Sequence, residues 1–295
     1  MRYMIRKTVA SPQTSLVAAP ALAALADAVP PATLVAVVED LGVREQRRRK
    51  LPADLLLALS VAMHLDPLSS LETVLRRRVS GLRLLAPDPD AAVATRSAIC
   101  QARARLSARP VVALCHRVCR PRATRATPGA FRFGLRLVAL DGTVEHVPDT
   151  AANERAFGRG RNQHQPTAFP QVRGVYLAEC GTHMIIDAGF WPIGTSEHVG
   201  AHRLVRSVTP DMLVTWDRGL YSFALAARIG ARGAHSLGRM PAGAKLAADT
   251  QLADGSALAT WRPADRGRGR RARRAADGRR VRIITSTLQD PARPG

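Results

Sequence analysis

The spacing of apolar residues changes near residue 133, and this change constrains the fold more than any other feature of the sequence. Before it, apolar side chains recur at helical spacing, as at Leu34, Val37 and Val38. After it, short apolar runs end at turn residues, which is typical of buried strands. The sequence therefore predicts an all-α part followed by an α/β part. The predicted segments are a flexible N-terminus over 1–30, a helical domain over 31–122 and an α/β domain over 133–290.

The charge balance points to a polyanionic partner. The 295 residues include 44 Lys and Arg against 23 Asp and Glu, which gives a formal net charge of +21. Nucleic acid is the commonest partner of so basic a protein, and a membrane surface is the alternative. No stretch reaches the ~18–20 uninterrupted apolar residues that a membrane-spanning helix needs. We therefore expect a soluble, cytoplasmic protein whose partner is a polyanion and not a membrane.

The four cysteines do not predict a disulfide framework in a chain of this length. Cys115 and Cys119 lie four residues apart, and His116 lies between them. No second Cys/His pair follows at the spacing of a zinc site. The sequence therefore favours thiols in the core of a helix over a metal site.

Two aspartates each follow a short apolar run and precede a glycine by no more than two residues. Asp141 follows Leu140, and Asp217 follows Trp216. Carboxylates at the carboxyl ends of neighbouring strands point into the crevice where α/β sheets bind ligands, and a pair of them can share divalent cations. In a basic chain, this arrangement indicates metal-dependent cleavage of nucleic acid. The alternative is that each Asp only forms a turn.

Arginine-rich segments are candidates for phosphate contacts, because each neutralised phosphate releases counterions. A segment over 262–282 contains ten Arg and two Asp. The alternative is that these side chains only form solvated surface. The candidate DNA-binding residues of these segments are Arg47, Arg48, Arg49, Lys50, Arg103, Arg105, Arg268, Arg270, Arg271, Arg273 and Arg274.

Several of these segments, taken in order, resemble the DDE transposases of the insertion sequence 4 type. Residues 138–143, 147–153, 156–158, 169–173 and 181–183 resemble the family's first catalytic block, and 212–222 resembles its second block. Residues 49–52 and 97–106 resemble its N-terminal helical domain. The resemblance covers about residues 31–290.

This resemblance implies an RNase H-like catalytic domain with a β-rich insertion, preceded by an all-α DNA-binding or dimerisation domain. It implies DNA cleavage and strand transfer that depend on Mg²⁺ or Mn²⁺, with Asp141 and Asp217 as catalytic metal ligands. Arg218 and Tyr221 occupy positions that would hold DNA, although Arg218 could instead be a surface arginine that pairs with a carboxylate. The implied partners are double-stranded DNA, as transposon ends and target, and a second copy of the chain.

The third acid of the family is a glutamate in the pattern Tyr-x2-Arg-x3-Glu-x6-Lys. No Glu follows Glu197 in this sequence, and no Tyr follows Tyr221. We therefore expect a C-terminally truncated copy that lacks its third carboxylate and is inactive alone. The rival hypothesis is a non-enzymatic protein, either a regulator or a transposase remnant, that binds transposon ends. A generic RNA-binding protein is a more distant alternative, because the chain has few aromatic residues for stacking on bases.

Overall fold

The computed structural model describes residues 27–45, 51–64, 94–161, 165–263 and 278–285. These residues fall into two compact units, which divide between Cys119 and Arg120. In the part of the chain that the structure describes, no helix is long and apolar enough to cross a membrane. The sequence also predicts a helix over 70–79, which lies outside these residues.

The first unit is helical. Proline stands at the start of several of its helices, where the missing N–H costs no hydrogen bond, and Thr95 caps the third helix by accepting a hydrogen bond from the backbone N–H of Ala98 at 3.3 Å. Its core is aliphatic and contains fully buried Val37, Leu57 and Ile99. The described helices are α1 (Pro31–Asp40), α2 (Ala53–Ala62), α3 (Arg96–Leu106) and α4 (Arg109–Val118).

The second unit is mixed α/β and contains two sheets. Its helices are α5 (Ala151–Phe157), α6 (Glu197–Leu204) and α7 (Phe223–Ala231). The strands of the larger sheet are β1 (Phe131–Arg132), β2 (Leu135–His146), β3 (Gln171–Glu179), β4 (Ile185–Pro192), β5 (Met212–Trp216) and β6 (His235–Gly238). The strands of the smaller sheet are β7 (Ala248–Gln251), β8 (Ala257–Trp261) and β9 (Arg279–Ile283).

The larger sheet has the order β4-β3-β2-β5-β6, and the short β1 pairs with the start of β2. Strands β2, β3 and β4 pair antiparallel with one another, whereas β5 pairs parallel with β2 and β6 pairs parallel with β5. Strand β2 is therefore the central strand, with an antiparallel partner on one side and a parallel partner on the other. Its buried residues Val138 and Leu140 pack in one core with side chains of α6 and α7.

The prediction that an apolar strand ends at Asp141-Gly142 is wrong in one respect. Strand β2 continues through both residues to His146, and Asp141 pairs with Tyr176 of β3. Only the parallel pairing with β5 stops before them, at Ala139 and Thr215. The strand continues because β3 still supplies backbone hydrogen bonds on its other side, although the side chains after Leu140 are mostly exposed. The alternative that Asp141 only forms a turn therefore fails.

A buried carboxylate fixes one end of this sheet. Glu179, the last residue of β3, is fully buried and pairs with the guanidinium of Arg136 in β2. It also accepts hydrogen bonds from the hydroxyl of Thr182 and from the backbone N–H groups of Arg122 and Ala123, at 3.1 and 2.8 Å. The chain at 122–123 is thus bonded to the end of β3.

Removing this carboxylate charge should destabilise the protein. Glu179→Gln leaves the Arg136 guanidinium without its buried counter-charge, so we expect the free energy of unfolding to fall by about 3 kcal/mol. Glu154→Gln is the matched control, because Glu154 also pairs with an arginine but is exposed. In this variant the free energy of unfolding should fall by less than about 1 kcal/mol. Urea denaturation measures both, and equal losses would contradict the structural role of Glu179.

The same carboxylate should make stability depend on acid. Burial by itself raises the pKa of Glu179, but the hydrogen bonds from Thr182, Ala123 and Arg136 outweigh burial and leave the pKa lowered. Because the pKa of Glu179 is lower in the folded state, this group stabilises the folded protein at pH values above its unfolded pKa of about 4.3. This contribution is lost as the pH falls through the pKa of the folded state. Acidification below about pH 4 should therefore cost the wild type more stability than it costs Glu179→Gln.

Candidate active site

The parallel ladder of β2 with β5 ends two residues before Asp141 on one strand and two residues before Asp217 on the other. The parallel pairs Arg136–Met212 through Ala139–Thr215 keep a constant offset, and the same offset matches Asp141 with Asp217. Neighbouring strands are about 4.8 Å apart within the ladder that both acids follow. Both side chains are exposed. The sheet therefore places the two acids that the sequence singled out just beyond the same end of this ladder.

Asp217 also caps a short 3-10 helix, Arg218–Leu220. One oxygen of its carboxylate accepts hydrogen bonds from the backbone N–H of Gly219, at 2.7 Å, and of Leu220, at 3.4 Å. These bonds hold the carboxylate at the end of β5. Asp141 accepts a hydrogen bond from the N–H of Gly142 at 2.8 Å. Both carboxylates thus have an orientation set partly by their own backbone.

A third carboxylate, that of Glu197, lies against β2 directly after Asp141. A Cβ placed on Gly142 would lie 2.7 Å from Cγ, Cδ and Oε1 of Glu197, so only glycine fits at 142 with this side chain in place. Glu197 is the first residue of α6, where an acidic side chain suits the helix dipole. The family resemblance implies a position near the active site for Glu197, but no local sequence pattern indicates that α6 packs against Gly142.

The side chains of Tyr176 and His202 have pKa values that differ from the ordinary ones. Burial and a hydrogen bond to Glu145, 2.8 Å from its hydroxyl, raise the pKa of Tyr176 to about 12. Tyr176 pairs with Asp141 across the antiparallel ladder, but its phenol extends along the strand to Gly174 and Glu145 and is protonated at neutral pH. Burial lowers the pKa of His202 in α6, and the positive charge of Arg228 lowers it further. Both groups are therefore neutral at pH 7.

The segment after Asp217 packs against the smaller sheet. The ring of Tyr221 stacks on Trp261 of β8, with 4.7 Å between ring centroids, and Phe223 meets the same indole edge-on at 5.6 Å. Arg279, which pairs with Trp261 across β8 and β9, donates a hydrogen bond to the carbonyl of Ala227 in α7 at 3.3 Å. Trp261 and Arg279 therefore attach the smaller sheet to α7.

The remaining predicted site residues that the structure describes are divided between the two units. Arg218 is exposed directly after Asp217, whereas Arg103 and Arg105 are exposed in the last turn of α3, in the other unit. Within the described ranges, no group of three or more His, Cys, Asp or Glu side chains is placed to hold a metal ion. The following predicted DNA-binding residues lie outside the described residues: Arg47, Arg48, Arg49, Lys50, Arg268, Arg270, Arg271, Arg273 and Arg274.

The contact between Gly142 and Glu197 predicts a specific steric cost. In Gly142→Ala the new methyl group forces the Glu197 side chain to rotate away, and we expect a loss of about 1–2 kcal/mol in the free energy of unfolding. Gly194→Ala is the matched control, because a Cβ there meets nothing within 4 Å. The loss should shrink when Gly142→Ala is combined with Glu197→Ala. An unchanged loss in that background would contradict the contact.

The aromatic contact predicts a second loss of stability. Trp261→Ala removes the ring on which Tyr221 and Phe223 pack, so we expect the free energy of unfolding to fall by about 2 kcal/mol, less than for a fully buried tryptophan. Trp261→Phe should recover part of this loss because it keeps an aromatic ring. Leu237→Ala, at a side chain that is 54% exposed, serves as the control and should cost little. Urea denaturation of the three variants measures the order, and equal losses for Trp261→Ala and Leu237→Ala would refute it.

Comparison with known proteins supports a common origin with transposases. Residues 20–116 match the family described as insertion element 4 transposase N-terminal. The chain is 31% identical to the transposase InsG for insertion sequence element IS4 of Escherichia coli K12 over 207 residues, which are 69% of this chain. It is 28% identical to the putative transposase InsZ of the same organism over 209 residues, again 69% of this chain. These matches span 45% of InsG and 66% of InsZ.

Among solved structures, the chain matches a piggyBac transposase in a synaptic complex with hairpin DNA. The match covers 86% of this chain and 58% of the other, with 11% identity and a TM-score of 0.37. The sequence matches alone identify the relationship, because they include both an N-terminal family and parts of two transposase sequences. The chain belongs to the insertion sequence 4 family of transposases.

Proposed function

We propose that this chain acts in DNA transposition, as a metal-dependent enzyme that cleaves DNA strands and transfers them to a target. The observation that carries this proposal is the parallel register of β2 and β5, which matches Asp141 with Asp217. The order of the larger sheet supports an RNase H-like fold for this unit. Three antiparallel strands, β2 to β4, are followed along the chain by the parallel strands β5 and β6, and β2 lies at the centre of the sheet.

The two aspartates suit a hard divalent cation, Mg²⁺ or Mn²⁺. Both present exposed carboxylate oxygens, and such ions prefer oxygen ligands and keep several waters. When bound, the ion would polarise the scissile phosphate and activate the attacking water or hydroxyl. The chain's own residues hold the carboxylates in place: the N–H groups of Gly219 and Leu220 orient Asp217, and the N–H of Gly142 orients Asp141.

Double-stranded DNA is the proposed substrate, both as transposon ends and as target. The formal net charge of +21 supports a phosphate-dependent affinity. Arg218 is exposed next to Asp217, and Tyr221 follows in the same turn; we assign both to contacts with the DNA strand being cleaved. Arg103 and Arg105 are exposed on α3, and we assign them to backbone contacts made by the helical unit. Pairing of two transposon ends implies a homodimer.

The test separates metal chemistry from DNA binding. Asp141→Asn and Asp217→Asn should each reduce Mg²⁺-dependent nicking of DNA that carries the element's own ends by more than about 100-fold. They should leave the salt-sensitive affinity for that DNA within about threefold of the wild type, because neither carboxylate contacts phosphate without a metal. Asp211→Asn is the matched control, since Asp211 is an exposed aspartate at the opposite end of β5.

A second measurement does not depend on cleavage. The affinity for Mn²⁺, measured by electron paramagnetic resonance, should fall about tenfold or more in Asp141→Asn and Asp217→Asn. It should stay unchanged in Asp211→Asn. Mn²⁺ binding that is equal in all four proteins would overturn the metal site.

The second candidate function is non-enzymatic binding to transposon ends. The exposed arginines of α3 and the net charge favour it, because both serve DNA binding without any chemistry at the aspartates. Specific, salt-sensitive binding to the ends by a wild-type chain that never nicks DNA would favour this candidate. Nicking that disappears in Asp141→Asn would exclude it.

A further inference from the structure

Two cysteines meet at the end of α4, outside the candidate active site. Cys115 is exposed, and Cys119 lies one helical turn later as the half-buried C-cap residue. The backbone N–H of Cys119 donates to the carbonyl of Cys115 at 2.8 Å, which keeps the two residues one turn apart. Their thiols are also hydrogen-bonded to each other. The prediction of thiols in a helix core is therefore wrong for Cys115, because the buried face of α4 contains Pro110 and Leu114 instead.

The geometry is close to that of a disulfide. Residues one turn apart on a helix have Cβ atoms about 5–6 Å apart, and a disulfide needs about 3.5–4.5 Å. Cys119 has already left the helix, with φ −75° and ψ 91°. The last turn can therefore tighten by the remaining ångström or two at its end, where few backbone bonds oppose the change. A bond made in this way is slightly strained and stays easy to reduce.

We propose that Cys115 is a site of reversible covalent modification by small disulfides such as glutathione disulfide, and that Cys119 is its resolving thiol. The Cys115 thiolate attacks one sulfur of the small disulfide, forms a mixed disulfide and releases one glutathione thiolate. The Cys119 thiol then loses its proton to solvent and attacks the Cys115 sulfur, which releases the second glutathione thiolate. Two protein thiols are oxidised, and one small disulfide is reduced to two thiols.

The local chemistry favours Cys115 as the attacking thiol. The hydrogen bond from Cys119 lowers the pKa of Cys115 to about 7, so about half of this side chain is thiolate at neutral pH. Its exposure gives a dissolved disulfide access to the sulfur. The less exposed Cys119 is reached more readily by its neighbour than by a dissolved molecule.

Cys100 provides an internal control. It is an exposed cysteine on α3, and its sequence neighbours one turn away are Arg96 and Ala104. A small disulfide should therefore leave a stable mixed disulfide on Cys100, because no thiol follows one turn later to displace it. Exposure is thus shared by the two sites, and the second thiol is what distinguishes them.

The experiment treats the full chain with excess glutathione disulfide at pH 7, blocks remaining thiols and maps the products by mass spectrometry. Trypsin cuts after Arg117, so a Cys115–Cys119 disulfide appears as two linked peptides that separate on reduction. We expect this linked pair in the wild type, with glutathione retained on Cys100. In Cys119→Ser, glutathione should stay on Cys115. In the wild type, Cys115 should react about threefold faster than Cys100.

Two outcomes would overturn the proposal. One is a wild type in which Cys115 retains glutathione as Cys100 does, and the other is a wild type in which Cys115 bonds to a second copy of the chain. Circular dichroism checks that Cys119→Ser is folded. If it is not, the products formed at Cys115 and Cys100 within the wild-type chain still decide the result.

Discussion

The buried pair of Arg136 and Glu179 is the interaction on which the geometry of the second unit depends. Arg136 begins the parallel ladder of β2 with β5, where it pairs with Met212, and its guanidinium reaches Glu179 at the end of β3. Arg136 thus links the central strand β2 to β5 through its backbone and to β3 through its side chain. A slip of one residue in either ladder would move a buried face into solvent, so this end of the sheet fixes the register. The two aspartates lie at the other end and inherit that register.

The positions of the two acids could be predicted from the sequence because the signal is local. The run before Asp141 and the run before Asp217 are short, apolar and followed by a glycine, and both predicted strands are present as β2 and β5. The continuation of β2 to His146 could not be predicted in this way. Its residues after Leu140 are mostly exposed, and they stay in a strand only because β3 pairs with them.

Other features of the site depend on contacts between distant parts of the sequence. Glu179 looks like an ordinary polar residue at a strand end, and its burial follows only from the approach of residues 122–123 and of Arg136. Trp261 lies in a short strand with no motif around it, and the stacking on Tyr221 is visible only in the folded chain. For Cys115, the helix was predicted correctly but its buried face was not, because the four-residue spacing does not reveal which side faces solvent.

The two acids are supported in the same way from opposite sides. Glu197, from the helix that precedes β5, packs on Gly142 directly after Asp141. Trp261, from the smaller sheet that follows β6, packs on Tyr221 a few residues after Asp217. In each case an element far along the chain restrains the backbone that leaves the acid. Strand pairing sets the register of β2 and β5, whereas these two contacts restrain Gly142 in β2 and the turn after Asp217. A site that must hold carboxylates to within a fraction of an ångström requires both kinds of restraint, and this unit supplies them from separate parts of its sequence.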